Sequence, residues 1–276
     1  MAASAMTVEF EETRDGETQL VRRWSLTAPG AALLLVHGIG EHSGRYVHVG
    51  DFLASTGIDV VAYDNRGFGQ SGGRRAHIDD FETFLDDIED HLAQRRELGV
   101  PVILMGHSLG GLMATAYLVS DRRQPDLAVL SSPALAADVP RWQRIAAPIL
   151  GRVVPSLFIK GTQMNGLLSR DEEVEKAYHE DPLVILGATA GLGKAIFETM
   201  EETSSRIDRI RVPSYVLHGE EDELVPQAAS LPLSDLSIVT YRSWPSLRHE
   251  CMNEPERFEV LGEIRAWLDE QLAQPA

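Results

Sequence analysis

Residues 101–111 read PVILMGHSLGG and join an apolar run, Pro101 to Gly106, to the pentapeptide Gly-His-Ser-Leu-Gly. The apolar run predicts a buried strand, and the residues from Leu109 to Leu118 have the pattern of a helix. Gly-x-Ser-x-Gly between a strand and a helix is typical of a nucleophile elbow, a turn so tight that side chains two positions before and after the serine would collide. The pattern predicts that Ser108 raises its hydroxyl above the carboxyl edge of a sheet, beside the free N–H groups of a helix N-terminus.

Strand patterns alternate with helical patterns on both sides of this elbow. Most of the strands are apolar runs without alternation, as expected of strands buried on both faces of a parallel sheet. The runs are AALLLVHG (31–38), IDVVAYD (58–64), AVLSSP (128–133), VPSYVLHG (212–219) and SIVTYRS (237–243). Two earlier segments, VEFEE and LVRRWSL, predict a hairpin around Gly16. We expect an α/β fold, with a doubly wound, mostly parallel central sheet and helices on both faces.

The alternation stops between Ala134 and about Ser205, which predicts a helical insertion over the sheet. We therefore expect an α/β core of residues 1–133 and 206–276, and a helical cap or lid of residues 134–205. One amphipathic helix of this cap is predicted to end at Pro155 and to carry the apolar residues Trp142, Ile145, Ile149, Leu150 and Val153. Its apolar face either packs on the core or dips into lipid aggregates.

Two helices of the core carry start signals. Asp79 and Asp80 predict the cap of a helix whose apolar face is Phe81, Leu85, Ile88 and Leu92. A last helix is predicted to begin near Asn253, with Glu256 three residues later as in a capping box. We expect this helix to bury four apolar residues, Phe258, Leu261, Ile264 and Leu268.

A serine hydroxyl is a poor nucleophile until a base takes its proton, so the elbow requires a histidine and a carboxylate from elsewhere in the fold. With an elbow of this kind, the partners follow in the order serine, acid, histidine. Asp222, in the loop after the strand that ends at Gly219, and His249, in the loop before the last helix, satisfy that order. Other residues compete for both roles: Glu220, Glu221 and Glu223 for the acid, and His218 and His179 for the base. His107, beside the serine, is expected to pack behind the elbow.

The tetrahedral intermediate of ester hydrolysis also needs an oxyanion hole. One donor is expected to be the backbone N–H of Leu109, the residue after the nucleophile, and the other a backbone N–H in the loop after the strand that ends at His37. Ile39 is the candidate in that loop. Cys251, two residues beyond His249, is interpreted either as a small buried residue or as a modifiable thiol near the site.

Composition and motifs argue against several other classes of function. The formal net charge of −17 would repel phosphates, so we expect no nucleic acid partner. HGIGEHSG (37–44) resembles a dinucleotide loop and Asp64 ends the next strand, but Ser43 replaces the third glycine of that motif. No Walker motif, zinc-type cysteine pair or HExxH occurs, so we expect neither cofactor nor metal. A single cysteine, no secretory signal and no apolar run of ~18 residues lead us to expect a cytoplasmic protein.

Several segments together resemble the monoacylglycerol lipases and lysophospholipase-like hydrolases, which are α/β-hydrolases with a helical cap. The segments that carry the resemblance are HGIGEHSGRY (37–46), YDNRGFGQSGG (63–73), GHSLGG (106–111) and NEPERFEVL (253–261), with the GEED and LRHE loops. The resemblance covers most of the chain and implies a triad of Ser108, Asp222 and His249, oxyanion donors at Ile39 and Leu109, and a lid over an acyl channel. It also implies that the polar end of the pocket is shaped by Glu41, His42 and Arg45, for which surface salt bridging is the other interpretation.

The leading hypothesis is an esterase that cleaves monoacylglycerols to fatty acid and glycerol through an acyl-enzyme on Ser108. A lysophospholipase or a general carboxylesterase is the near alternative, because the same three catalytic residues serve all of these reactions. A non-catalytic homologue that binds a lipid or another small ligand is the distant alternative, and the intact serine, acid and histidine argue against it. The expected partner is a small lipid ester, with transient contact between the cap and lipid aggregates or a membrane surface.

Overall fold

An eight-stranded sheet forms the centre of the structure, a computed structural model that describes residues 5–136, 148–161 and 166–273. Its strands are β1 (Thr7–Glu12), β2 (Thr18–Trp24), β3 (Ala31–Val36), β4 (Ile58–Tyr63), β5 (Val102–His107), β6 (Leu127–Ser131), β9 (Ser214–Gly219) and β10 (Val239–Trp244). They lie in the order β1-β2-β4-β3-β5-β6-β9-β10. A separate two-stranded sheet pairs β7 (Phe158–Lys160) with β8 (Gly187–Thr189).

The predicted α/β fold is confirmed by the directions of these strands. All neighbouring strands from β4 to β10 run parallel, while β2 is antiparallel to β4 and forms the predicted hairpin with β1. Strands β3, β4, β5, β6 and β9 are buried along their whole length, which explains their continuous apolar sequences. Because β3 lies between β4 and β5, the chain winds outward in both directions, and the loops that follow parallel strands meet at one edge.

Helices cover both faces of the sheet. They are α1 (Val47–Ser55), α2 (Glu82–Arg96), α3 (Leu109–Leu118), α4 (Glu172–Glu180), α5 (Ala190–Ser204) and α6 (Arg257–Leu272). Leu53 of α1 and Ile264 of α6 belong to the apolar core on one face, and Ile88 of α2 and Leu112 of α3 belong to the core on the other. Ile196 of α5 joins that second core, so this helix of the 134–205 segment packs on the sheet domain.

The start of α2 lies close to its sequence signal, although the residue directly before the helix is Phe81, which makes no side-chain cap. The Asp80 carboxylate accepts a hydrogen bond of 3.0 Å from the backbone N–H of Glu82, the first helical residue. Phe81, Leu85, Ile88 and Leu92 are all buried, as the periodicity predicts.

The prediction for the last helix was wrong at its N-terminus. Helix α6 begins at Arg257, and residues 251–253 form a short 3-10 turn instead. Pro255 is the physical reason, because a residue before proline disfavours the helical conformation, and Glu254 is extended (φ −73°, ψ 164°). Phe258 is 56% exposed, whereas the other three predicted apolar positions of this helix are buried.

The segment 134–205 contributes α4, α5 and the two-stranded sheet. Trp142 and Ile145, from the amphipathic helix predicted there, lie outside the described residues. Residues 148–153 are helical, and the side chains of Ile149 and Val153 are 59% and 73% exposed. No helix in the described ranges has the length and apolar character that a membrane crossing requires.

Residues 166–170 of this segment are fastened to the loop that follows β10. The backbone N–H of Glu250 donates to the carbonyl oxygen of Leu168 at 2.8 Å, and the Ser169 hydroxyl donates to the carbonyl oxygen of Asn253 at 3.0 Å. Ser169 and Leu168 are both buried. The loop after β10 is therefore held by hydrogen bonds to residues 166–170 as well as by its connection to the sheet.

Candidate active site

The turn between β5 and α3 holds Ser108 in a backbone conformation that L-residues rarely adopt, φ 53° and ψ −116°. A Cβ at Gly106 would lie 2.2 Å from the carbonyl oxygen of Gly110, which confirms the predicted collision across the turn. A Cβ at Gly110 would lie 2.2 Å from the carbonyl oxygen of Val36, so its obstacle is the neighbouring strand β3. Strained backbone of this kind costs about 1–3 kcal/mol and persists only where surrounding packing enforces it.

We expect Gly110→Ala to lower the free energy of unfolding by about 2–3 kcal/mol, because the added methyl group meets backbone on a buried strand. Gly262→Ala is the matched control. Gly262 lies inside α6, and no atom lies within 4 Å of a Cβ added there, so alanine should stabilise the helix by about 0.5–1 kcal/mol. Urea denaturation measures both values, and equal stability of the two variants would contradict the steric account.

The structure brings the side chains of Ser108, His249 and Asp222 into line above the carboxyl edge of the sheet. His249 Nε2 lies 2.9 Å from Ser108 Oγ, and His249 Nδ1 lies 2.7 Å from Asp222 Oδ2. The three residues come from the loops after β5, β9 and β10, and each is less than a tenth exposed. With Nδ1–H donating to the carboxylate, Nε2 is left free to accept the serine proton.

Asp222 is held as a carboxylate by several donors. Its Oδ1 accepts the backbone N–H groups of Leu224 and Val225, both at 2.9 Å, and its Oδ2 faces His249 and, at 3.1 Å, His218 Nε2. Burial alone would raise the pKa of Asp222, but the two histidines and the backbone donors hold that pKa well below its usual range. Asp222 is therefore a fixed negative charge beside the imidazole.

The neighbouring acids do not reach the histidine. Glu220, Glu221 and Glu223 are all exposed, and Glu220 instead accepts a hydrogen bond of 2.6 Å from the Ser243 hydroxyl. Of these four acids only Asp222 is buried, and its carboxylate is hydrogen-bonded to His249.

The other candidate histidines have different partners. His218 Nε2 also lies 2.9 Å from the carbonyl oxygen of Val225, which can only accept, so this nitrogen carries its proton and donates toward Asp222. His179 lies on α4 beside Glu175. His107 packs with its ring centroid 4.8 Å from that of His249, and burial together with His249 lowers the pKa of His107 to about 4. His107 is thus a neutral neighbour of His249.

The charge state of His249 follows from its surroundings. Burial alone would lower the pKa of His249, but the Asp222 carboxylate outweighs burial and raises that pKa above its ordinary value. The same carboxylate stabilises the imidazolium that forms when His249 takes a proton. The arrangement supports general-base chemistry on the serine hydroxyl.

Two backbone N–H groups lie where the oxyanion donors are expected. Leu109 is the first residue of α3, and Ile39 follows Gly38, whose added Cβ would lie 3.1 Å from Ser108 Cβ. The N–H of Gly38 is committed to Glu41 Oε1 at 2.6 Å. Within the described ranges, the N–H groups of Ile39 and Leu109 donate to no other residue, so both are free to bind a ligand.

A cavity of about 310 Å³ adjoins the Ser108 hydroxyl, within the size range of small-molecule sites. Its wall is mostly apolar and includes Leu168, Ile196, Phe197, Met200 and Val225, most of which belong to the 134–205 segment. Three polar residues of the lining, Glu41, Tyr178 and Glu250, are close together, because the Arg45 guanidinium binds both carboxylates and lies 4.7 Å from the centroid of the Tyr178 ring. The serine therefore lies between an apolar cavity and a small polar wall.

The three residues expected to shape the polar end have different positions. Glu41 lines the cavity, and Arg45 lies behind it and binds both Glu41 and Glu250. His42 is absent from the described lining, because its Nε2 pairs with Asp181 Oδ2 at 2.8 Å. Glu250 and Tyr178 were not predicted as lining residues, because their proximity to Glu41 depends on contacts between distant parts of the chain.

The structure also places Asp64, the residue that directly follows β4, the strand after the glycine-containing loop. Asp64, which would meet a ribose in a dinucleotide site, is fully buried and accepts hydrogen bonds from the backbone N–H groups of Ser43 and Gln70. Within residues 5–136, 148–161 and 166–273, no three His, Cys, Asp or Glu side chains form a group that could hold a metal ion.

Comparisons with known proteins agree with this geometry. The family model described as serine aminopeptidase, S33 matches residues 27–256. The chain is 34% identical to a monoacylglycerol lipase of Mycolicibacterium smegmatis, over 88% of this chain and 89% of that protein. It is 29% identical to phospholipase YtpA of Bacillus subtilis, over 90% of this chain and 99% of that protein. The crystal structure of a Paleococcus ferrophilus monoacylglycerol lipase matches with a TM-score of 0.81 and 31% identity, over 98% of this chain and 100% of that one.

Proposed function

The chain belongs to the serine aminopeptidase S33 family of α/β-hydrolases, and from that premise we propose that it hydrolyses monoacylglycerols to fatty acid and glycerol. It is a carboxylic ester hydrolase of the monoacylglycerol lipase kind. The observation that carries the proposal is the position of the Ser108 hydroxyl, at the junction of an apolar cavity and a buried polar wall. A monoacylglycerol has the matching shape, with one apolar chain and one neutral polyol on either side of an ester.

In the proposed first step, Ser108 Oγ attacks the ester carbonyl carbon while its proton passes to His249 Nε2. The negative charge that develops on the carbonyl oxygen is stabilised by the backbone N–H groups of Ile39 and Leu109. When the tetrahedral intermediate collapses, the glycerol oxygen leaves with the proton from His249 and the acyl group remains on Ser108.

Water completes the proposed cycle. It attacks the acyl carbon as His249 takes one of its protons, and the proton then returns to Ser108 Oγ as the fatty acid leaves. Asp222 stays ionised throughout and stabilises the imidazolium in both halves of the reaction. Glu41 supports the first half by holding the N–H of Gly38, which keeps the loop that carries Ile39 in place.

The 134–205 segment has two proposed roles. Its residues form much of the apolar wall, so it acts as the lid over the acyl chain. The exposed side chains of Ile149 and Val153 give it an apolar surface for transient contact with lipid aggregates. The buried, unpaired Cys251 is compatible with the reducing cytoplasm that we propose for the protein.

Hydrolysis of lysophospholipids is a second candidate, which the similarity to phospholipase YtpA favours. A substrate panel separates the two. We expect kcat/KM to be highest for medium- or long-chain monoacylglycerols, and lower for lysophospholipids, p-nitrophenyl acetate and triacylglycerols, because the cavity accepts one chain and a small neutral alcohol. A higher kcat/KM for lysophospholipids would make them the substrate, and a strict preference for acetyl esters would overturn the acyl-cavity account.

A further inference from the structure

A buried cluster of three charged side chains forms the polar wall of the cavity. Arg45 Nη1 binds Glu41 Oε2 at 2.7 Å, and the Arg45 guanidinium binds both oxygens of Glu250, at 2.5 and 2.7 Å. The side chains of Glu41 and Glu250 are each 3% exposed, and that of Arg45 is 10% exposed. We call Glu41, Arg45 and Glu250 the Glu-Arg-Glu cluster.

The charges of this cluster do not cancel. It contains two carboxylates and one guanidinium, and within the described ranges Arg45 is the only guanidinium or ammonium group bound to either carboxylate. The remaining partners are uncharged: Tyr46 and the N–H of Gly38 bind Glu41, and the Asn253 amide binds Glu250. The wall therefore carries an excess of one negative charge, shielded from water, where charge interactions are stronger than in solution.

The two carboxylates of the cluster differ in their structural roles. Glu41 Oε1 is needed to hold Gly38 and Tyr46, so its negative charge accompanies a structural role beside the oxyanion loop. Glu250 follows His249 directly and lines the cavity, and among the described residues its carboxylate is hydrogen-bonded to Arg45 and Asn253. Removing its charge would leave the oxyanion loop bound through Glu41.

We propose that Glu250 is a specificity-determining residue that makes the alcohol end of the site reject anionic leaving groups and accept neutral or cationic ones. The inference rests on the proposed function, because it takes the alcohol to lie against the Glu-Arg-Glu cluster. A phosphate on the glycerol would lie near the excess negative charge, and the resulting repulsion would be screened little by salt because the cluster is buried. The substrate class that follows is esters of a fatty acid with an uncharged or cationic alcohol.

The test compares three esters that share one acyl chain, short enough to stay monomeric: an acylglycerol, an acylglycerol phosphate and an acylcholine. We expect the wild-type protein to hydrolyse the phosphate ester with the lowest kcat/KM of the three. In Glu250→Gln, the ratio of kcat/KM for the phosphate ester to that for the acylglycerol should rise about tenfold, as expected for the loss of a unit charge at roughly 10 Å in a partly polar interior. Glu250→Asp keeps the charge and should keep the wild-type ratio.

Glu254→Gln is the matched control, since Glu254 is a second buried carboxylate in the same loop that binds Arg170 and does not line the cavity. We expect it to leave the ratio at the wild-type value, whatever its effect on the absolute rates. A wild-type protein that prefers the phosphate ester overturns the inference without any variant, and so does an unchanged ratio in folded Glu250→Gln. If the wild-type protein cleaves none of the glycerol esters, the proposed function fails instead.

Discussion

Ser108→Ala should reduce hydrolysis of a monoacylglycerol by a factor on the order of 10⁶, to the level left by binding and the oxyanion donors alone. The reason is that no other nucleophile lies in hydrogen-bond contact with His249 Nε2 in the part of the chain that the structure describes. Initial rates measured with excess protein, together with labelling by a fluorophosphonate probe, check the result. Labelling should disappear with activity, because the probe reacts with the same activated hydroxyl.

The thermal stability of Ser108→Ala should stay close to that of the wild type. The change removes one hydroxyl from a residue that is already 7% exposed, and it leaves no cavity in the apolar core. Calorimetry on both proteins separates loss of chemistry from loss of fold. A folded variant with substantial residual turnover would mean that a different residue attacks the ester.

Asp222→Asn should lower kcat by about 10⁴, because an amide at this position offers an N–H toward His249 Nδ1 and favours the wrong tautomer of the imidazole. The change should also move the pH profile. His249 acts as a base only when neutral, and the Asp222 carboxylate raises the pKa of His249, so the rate of the wild type falls as pH drops through that raised pKa. Without the carboxylate the pKa of His249 falls, and the acidic limb of the profile should shift to lower pH.

Glu221→Gln is the control for this prediction. It removes the same charge from the adjacent residue, which is exposed and whose side chain has no hydrogen bond to His249 in the part of the chain that the structure describes. We expect both kcat and the acidic limb to remain as in the wild type. If Glu221→Gln lost activity and Asp222→Asn kept it, the acid would have to be reassigned to the neighbouring position.

The features that short-range patterns encode could be predicted from the sequence. The strand β5 and the turn at Ser108 were predicted from consecutive residues, because a side chain at Gly106 would collide with Gly110 within the same turn, whereas the obstacle at Gly110, Val36 of β3, appears only in the fold. The order of acid and histidine along the chain likewise led to Asp222 and His249, which the structure brings together. The start of α6 could also have been predicted, because Pro255 is a local signal against a helix that begins near Asn253. The capping pattern of Asn253 and Glu256 was given more weight than that signal.

Other features depend on the tertiary fold. Glu250 meets Arg45 across 205 positions of sequence, and His42 meets Asp181 across 139. A charged residue in a loop looks the same in sequence whether it lies in solvent or in a buried pair, because burial is set by what packs above it. The polar wall of the cavity therefore depends on contacts between distant parts of the chain, which sequence patterns do not encode.

The attachment of residues 166–170 to the loop after β10 has a practical consequence for protein engineering. A chimera that exchanges residues 134–205 for the segment of a relative would also replace Leu168. The carbonyl oxygen of Leu168 accepts a hydrogen bond from the backbone N–H of Glu250, directly beside His249. Grafts that omit Leu168 and Ser169 would remove two hydrogen bonds to the loop that carries His249, even with the sheet intact. The segment that lines much of the cavity thus also holds the loop of His249. We expect a graft that keeps activity to include residues 166–170 as well as the cavity-lining residues.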